Sequence, residues 1–127
     1  MARSKMYQAT AQTSATFNSE PPYIFAPAKQ GGVTVRCVNW GNTDNTLVVD
    51  VYWGDRKTLG ILPNTANMSW TKDTTLTTTI PATGGTTTEV VGFIKVPQMA
   101  SKYMRLGFTL AGTTKTVDVY AFFSWQV

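Results

Sequence analysis

The sequence predicts an all-β fold: an antiparallel β-sandwich, most simply a jelly roll of about eight strands, with an extended N-terminal arm. Three observations predict it. Apolar residues alternate with other types at period two in segment after segment, as in Met104, Leu106, Phe108 and Leu110, the spacing that turns one strand face toward a core. Clusters of Gly, Pro, Asn and Asp interrupt these segments roughly every 8 to 15 residues, and no segment carries a helical period. Charged residues make up only 14% of the chain, and the abundance of Thr, Gly, Asn and Ser suits strands better than exposed helices. At 127 residues a single core is expected, burying about two-thirds of the unfolded surface without disulfides or a metal.

In chain order, residues 1–19 are polar, with Met6, Tyr7 and Phe17 as the large apolar anchors; they read as an arm or a first edge strand. Glu20 to Gly32 carries three prolines around Tyr23, Ile24 and Phe25. Proline disfavours helix interiors and central strands, so this is an extended connector laying an aromatic plug on a surface. The chain thus divides into an arm and connector, 1–32, and a sandwich domain, 33–127. Val33 to Trp40 and Thr46 to Trp53 read as a hairpin across Gly41 to Asn45, whose residues tolerate turn conformations. If Asn39 faces Leu47, then Cys37 faces Val49, Val35 faces Val51 and Val33 faces Trp53 on the apolar side. On the other side Arg36 meets Asp50, an opposite-charge cross-strand pair.

Gly54 begins a turn leading to a short strand around Thr58 to Leu62. Asn67 to Thr71 and Thr75 to Ile80 read as two further strands, favoured by β-branched threonines. Pro81 to Gly85 is a loop tip, and Thr88 to Val96 is a strand through Val91, Phe93 and Ile94. Lys102 to Val127 reads as a closing hairpin around Ala111 to Thr116. Its inner face is Met104, Leu106, Phe108 and Leu110 with Val117, Val119, Ala121, Phe123 and Trp125. On its outer face Arg105 stands opposite Phe122 with Tyr120 on the diagonal, where a solvated sheet would carry polar residues.

Composition narrows the function classes. The net charge is +4, but the 11 basic residues are scattered from Arg3 to Lys115 rather than clustered with aromatics along one face, as a nucleic-acid groove requires. No stretch approaches a membrane span and the N-terminus lacks the apolar run of a secretory signal. The lone Cys37 has no disulfide partner and reads as a small buried apolar residue. There is no histidine, which removes Ser-His-Asp and Cys-His catalysis and the commonest zinc ligand. The seven carboxylates show no marked acid/base pair: Asp50 is assigned to Arg36, and Asp44, Asp55 and Asp73 to turns. No calcium loop or phosphate loop is present. The chain is therefore read as non-enzymatic, with no cofactor and no metal, working by binding or assembly.

Aromatic residues support that reading. Trp40, Tyr52, Tyr103, Tyr120 and Phe122 all fall on nominally outer strand sides, and a monomer rarely leaves a contiguous aromatic patch in water. Arg on aromatics is a frequent interface element. The candidate contact residues are Tyr23, Ile24 and Phe25 on the connector and Arg105, Tyr120 and Phe122 on the closing hairpin.

The order VVGFIKVPQMASKYMRLGFTLAGTTKTVDVYAFFSW joins a strand, a Pro-containing link, a basic-aromatic strand, a small-residue turn and an aromatic closing strand. It resembles the C-terminal part of small jelly-roll cement or decoration proteins of tailed bacteriophage capsids, with Leu59 to Pro63 a weaker echo. That resemblance implies a non-enzymatic, usually trimeric protein made in the host cytoplasm. It would sit on the outer capsid of the virion and bridge copies of the major capsid protein. Two other classes fit the same residues: a phage tail or fibre receptor-binding domain, and a carbohydrate-binding module stacking sugars on Trp40, Trp53, Trp70 or Tyr52.

Overall fold

The computed structural model describes residues 2–19, 23–24, 30–56, 68–98, 100 and 103–126. Among them nine strands form: β1 (Ala2–Gln12), β2 (Thr16–Asn18), β3 (Tyr23–Ile24), β4 (Gln30–Val38), β5 (Thr46–Arg56), β6 (Met68–Pro81), β7 (Val90–Val96), β8 (Tyr103–Ala111) and β9 (Val117–Gln126). The expected strand around Thr58 to Leu62 lies outside the described residues. All pairing is antiparallel. One sheet has the order β1-β9-β4-β7; the other has the order β2-β8-β5-β6, with β3 also on β8.

β2 and β3 share one edge of β8, with Phe17 opposite Phe108 and Tyr23 opposite Met104. Between them the buried Ser19 donates its N–H to the Leu106 carbonyl at 2.9 Å and accepts the Leu106 N–H on Oγ at 2.8 Å. Ser19 thus fills both ladder bonds that a continuous strand would supply, one with its own N–H and the other with its hydroxyl oxygen in place of a carbonyl. Counting β2 and β3 as one interrupted strand, eight strand positions make the sandwich. Apart from that interruption, only β5 and β6 are consecutive strands of one sheet; every other step in the sequence crosses to the opposite sheet. That wrapping is a jelly roll. The first residues, expected as an arm or an edge strand, take the second form and pair along β9 from Ala2 opposite Gln126 to Gln12 opposite Val117.

Both predicted hairpins are corrected. β4 pairs with β7 and β9, and β5 with β6 and β8, so Val33 to Trp53 is not a two-strand unit. Likewise β8 and β9 belong to different sheets, and Arg105 does not face Phe122. The faces, however, stand as expected: Val33, Val35, Cys37, Leu47, Val49, Val51 and Trp53 are buried, as are Met104, Leu106, Phe108, Leu110, Val117, Val119, Ala121 and Phe123. Alternation encodes which side of a strand meets the core, not whether its neighbour lies beside it or across the core.

The connections decide that. Asn39 turns through a positive φ of 56°, a conformation Asn tolerates better than most residues, and the turn points Trp40 into the core, where it is 3% exposed. Trp40 was expected on an outer face. Its N–H donates to the Thr86 carbonyl at 2.8 Å and the Gly41 N–H to that of Thr116 at 2.9 Å, tying this loop to two others.

The charge pairing changes with the topology. Arg36 meets Glu89 instead of Asp50, and Asp50, 6% exposed, lies 3.6 Å from Lys72 Nζ. The two short strands expected between Asn67 and Ile80 are one strand with three residues inserted, since Asp50 faces Thr77 while Tyr52 faces Lys72. Asp73 holds that bulge. Its carboxylate accepts the Trp53 indole N–H at 2.8 Å and both the N–H and hydroxyl of Thr75 at 3.0 and 2.8 Å. Asp73→Ala leaves the indole N–H of a nearly buried tryptophan unpaired and is expected to cost about 1–3 kcal/mol in urea unfolding, whereas Thr74→Ala beside it changes little.

Two further carboxylates tie distant segments together. Asp44 accepts the Thr113 N–H and hydroxyl, the latter at 2.8 Å. Asp118 accepts the Ala11 N–H at 2.6 Å and the Asn39 side-chain amide at 2.8 Å, where both partners have positive φ. These bonds favour the charged form. Hydrogen bonding from Thr113 lowers the Asp44 pKa, that from Trp53 lowers Asp73, and that from Ala11 lowers Asp118. A carboxylate whose folded pKa lies below its unfolded value of about 3.9 stabilises the fold above that pH, and the contribution is lost as pH falls through the folded value. With no histidine in the chain, the melting temperature is expected to stay flat between about pH 8 and 5 and to fall below about pH 4. Thermal melts across that range check it.

Candidate protein-binding face

Alternation turns Thr34 and Arg36 of β4, Tyr120 and Phe122 of β9, and Val91 and Phe93 of β7 away from the core. In register they form two rows across three adjacent strands: Phe122, Thr34 and Phe93, then Tyr120, Arg36 and Val91. Val91, Phe93 and Phe122 are 53%, 61% and 46% exposed, and they are the large exposed hydrophobics among the described residues. All three stand on this one outer face. The Phe93 ring leans over Gly32, where a Cβ would lie 3.2 Å from the ring.

Two hollows flank the phenylalanine row. One, about 420 Å³, is lined by Thr34, Arg36, Glu89, Tyr120, Ala121 and Phe122. The other, about 370 Å³, lies toward Gln30 and Gly31, with Lys95, Ser124 and Trp125 on its walls. Arg36 bonds Glu89 through both Nε (3.2 Å) and Nη2 (2.8 Å). That bond, with the charge of Glu89, raises the Arg36 pKa further. The pair is bidentate, and its charges cancel beside the aromatic row.

The outer face of the other sheet differs. Arg105 lies with its guanidinium carbon 4.6 Å from the Trp70 ring and 5.7 Å from that of Tyr52. Trp70 covers Gly54 and Tyr52 covers Gly107; in each case a Cβ on the glycine would strike the ring. Glycine here allows the close approach that flattens the aromatics onto the sheet, so these rings are covered from within the chain.

The six residues nominated from sequence therefore do not form one patch. Tyr120 and Phe122 lie on the outer face of β1-β9-β4-β7, Arg105 on that of β2-β8-β5-β6, and Tyr23 and Ile24 pair with Met104 and Tyr103 at the edge of β8. Phe25 lies outside the described residues. Phe93 and Val91 were not singled out. Their signal is in β7 itself: VVGFIKV places apolar residues at both parities, Val90, Ile94 and Val96 on one side and Val91 and Phe93 on the other, as a strand covered on both faces does. Of the proposed sugar platform, Trp40 and Trp53 are buried at 3% and 9% exposure, and Tyr52 and Trp70 carry Arg105.

Fold and surface together describe an all-β sandwich with one self-covered and one apolar outer face. No protein-family model matches the chain, and no curated protein matches it. Among solved structures it is similar to the K3 cleaved adhesin domain of Lys-gingipain from Porphyromonas gingivalis W83, at 13% identity and a TM-score of 0.43 over 97% of this chain and 73% of that one. It is also similar to desmodium yellow mottle tymovirus, at 10% identity and a TM-score of 0.31 over 98% of this chain and 86% of the other. Likeness at this level carries no functional information.

Proposed function

We propose that this chain is a non-enzymatic virion structural protein, a capsid cement or decoration protein that binds and stabilises a shell of major capsid protein on its outer surface. The observation that carries the reading is the gathering of Val91, Phe93 and Phe122 on one outer face, an apolar surface that a free monomer rarely keeps in water. The stretch resembling phage decoration proteins supports it further. It runs through β7, β8 and β9, and so contains Val91, Phe93, Tyr120 and Phe122.

The jelly roll suits such work mechanically: its two antiparallel sheets close over one core, and Asp44 and Asp118 tie segments distant in sequence to one another. Electron microscopy of particles assembled with and without this chain tests the proposal. Added density on the outer shell, with particles more resistant to heat when it is present, is the expected result. Density confined to the tail would replace it with the receptor-binding reading, and no density on any particle would remove both.

A further inference from the structure

Strand β1 leaves its sheet through a strained hinge. Ala11 holds a positive φ of 49°, a left-handed conformation that a residue with a Cβ resists and glycine adopts freely. The register of β1 on β9 shifts at the same place, between Ala9 and Gln12. By Ala15 the chain has reached the other sheet, where the Ala15 carbonyl accepts the Leu110 N–H at 2.8 Å. The three residues between β1 and β2 thus carry the chain from one sheet to the other, about 10 Å apart. We infer that β1 is exchanged between copies of this chain: straightened at Ala11, it lies on the β9 of a neighbouring copy as it lies on its own.

What fits that edge of β9 is shown by what lies on it. β1 pairs there from Ala2 opposite Gln126 to Gln12 opposite Val117, and a second copy supplies the same strand in the same register. The hold on β1 transfers with it. From Tyr7 to Gln12 no side chain is fully buried, and the largest, Tyr7, stacks on Phe108 at 5.5 Å, a contact that every copy offers. One bond belongs to the closed hinge alone. Asp118 accepts the Ala11 N–H at 2.6 Å in an exposed setting, where water replaces it once the hinge opens.

Strain sets the balance. Tethering gives β1 a local concentration on the order of millimolar at its own β9. Releasing Ala11 from the left-handed region favours exchange by roughly 5- to 30-fold at each hinge, which for two hinges brings it into the micromolar range. Closed monomer and exchanged assembly therefore interconvert with concentration. Two copies close by reciprocal exchange and three by passing β1 round a ring; the hinge decides which copy supplies the strand, not how many join.

Disulfide trapping is the test. Ser4 and Ser124 are Cα partners across β1 and β9, and antiparallel partners, about 4.5 or 5.5 Å apart, lie within the span of a disulfide. Cys37 is buried, with its thiol pKa pushed up to about 12, and takes no part. A chain with Ser4→Cys and another with Ser124→Cys are refolded together at about 200 μM, where exchange is populated, and oxidised. The expected result is a disulfide joining the two variants, in excess over those that each forms with itself. In a single chain with both substitutions, held at about 1 μM, the disulfide closes within the chain. Ala11→Gly removes the strain from the closed hinge and lowers the mixed disulfide at least about fivefold. Ala11→Val, β-branched and poorer still at positive φ, raises it. Damage to the fold alone would not give opposite signs. A mixed disulfide no more abundant than the self-paired ones, or unchanged by Ala11→Gly, overturns the inference. The outer face plays no part in the exchange, so the proposed function stands or falls separately, on binding to particles.

Discussion

Phe108→Ala is expected to lower stability by about 3–5 kcal/mol, the range for removing a buried aromatic ring. Phe108 is 1% exposed at the edge where the sandwich closes. Its ring stacks on Phe17 of β2 with centroids 4.7 Å apart and on Tyr7 of β1, from the other sheet, at 5.5 Å. Removing it opens a cavity between the two sheets and strips both neighbours of their partner, beyond the lost transfer energy. A domain of this size has about 5–15 kcal/mol in all, so the variant keeps a fraction of its stability and melts on the order of 10–20 °C lower. Phe108→Leu is expected to cost far less. The Phe108→Ala and Tyr7→Ala effects are expected to be non-additive, since the two rings share one contact. Urea unfolding of the single and double variants measures both.

Gly41→Ala is the second large effect, about 3 kcal/mol, at the upper end of overpacking costs. A Cβ on Gly41 would run into the backbone carbonyl oxygen of Thr114 and close to the Thr116 side chain. That oxygen cannot swing aside as a side chain can. Thr114 already holds a positive φ of 48°, and its neighbour Thr113 is fixed by Asp44. Relief by backbone movement would break the Gly41 N–H bond to Thr116 and loosen the joint that carries the chain from β4 across to β5. Gly85→Ala, on an open loop tip with only Thr88 nearby, meets no such obstruction. It is expected to pay only for its positive φ of 115° and to cost less than Gly41→Ala in thermal melts.

Much of the fold was legible because burial follows a period of two. The apolar inner-face residues assigned to the two expected hairpins, from Val33 to Trp53 and from Met104 to Phe123, are buried, while Asn39, placed on the same side, is exposed and Trp125 half-buried. Strand partners were not legible, because a strand's alternation is the same whether its sequence neighbour lies beside it or opposite it across 10 Å of core. Asn39 shows the limit. Its positive φ reverses the parity of the next residue, so Trp40, counted outward by alternation, turns inward. Asp73 shows another: read as a turn residue, it anchors a bulge inside one long strand.

The candidate site was legible in part for the same reason. Tyr120 and Phe122 were found on an outer face, but Arg105 was joined to them by a pairing that the fold does not contain. Phe93 completes the row only once β7 is known to lie beside β4, with Thr34 between the two rings.

Hydroxyl-radical footprinting of the free chain against the chain in its assembled state tests most directly whether this face is where the protein makes its contact. Protection of Phe93 and Phe122, with Tyr120 beside them, is the predicted result, while Tyr52 and Trp70 on the opposite face label as before. Labelling of Phe93 and Phe122 that is unchanged on assembly, with protection elsewhere, would contradict it.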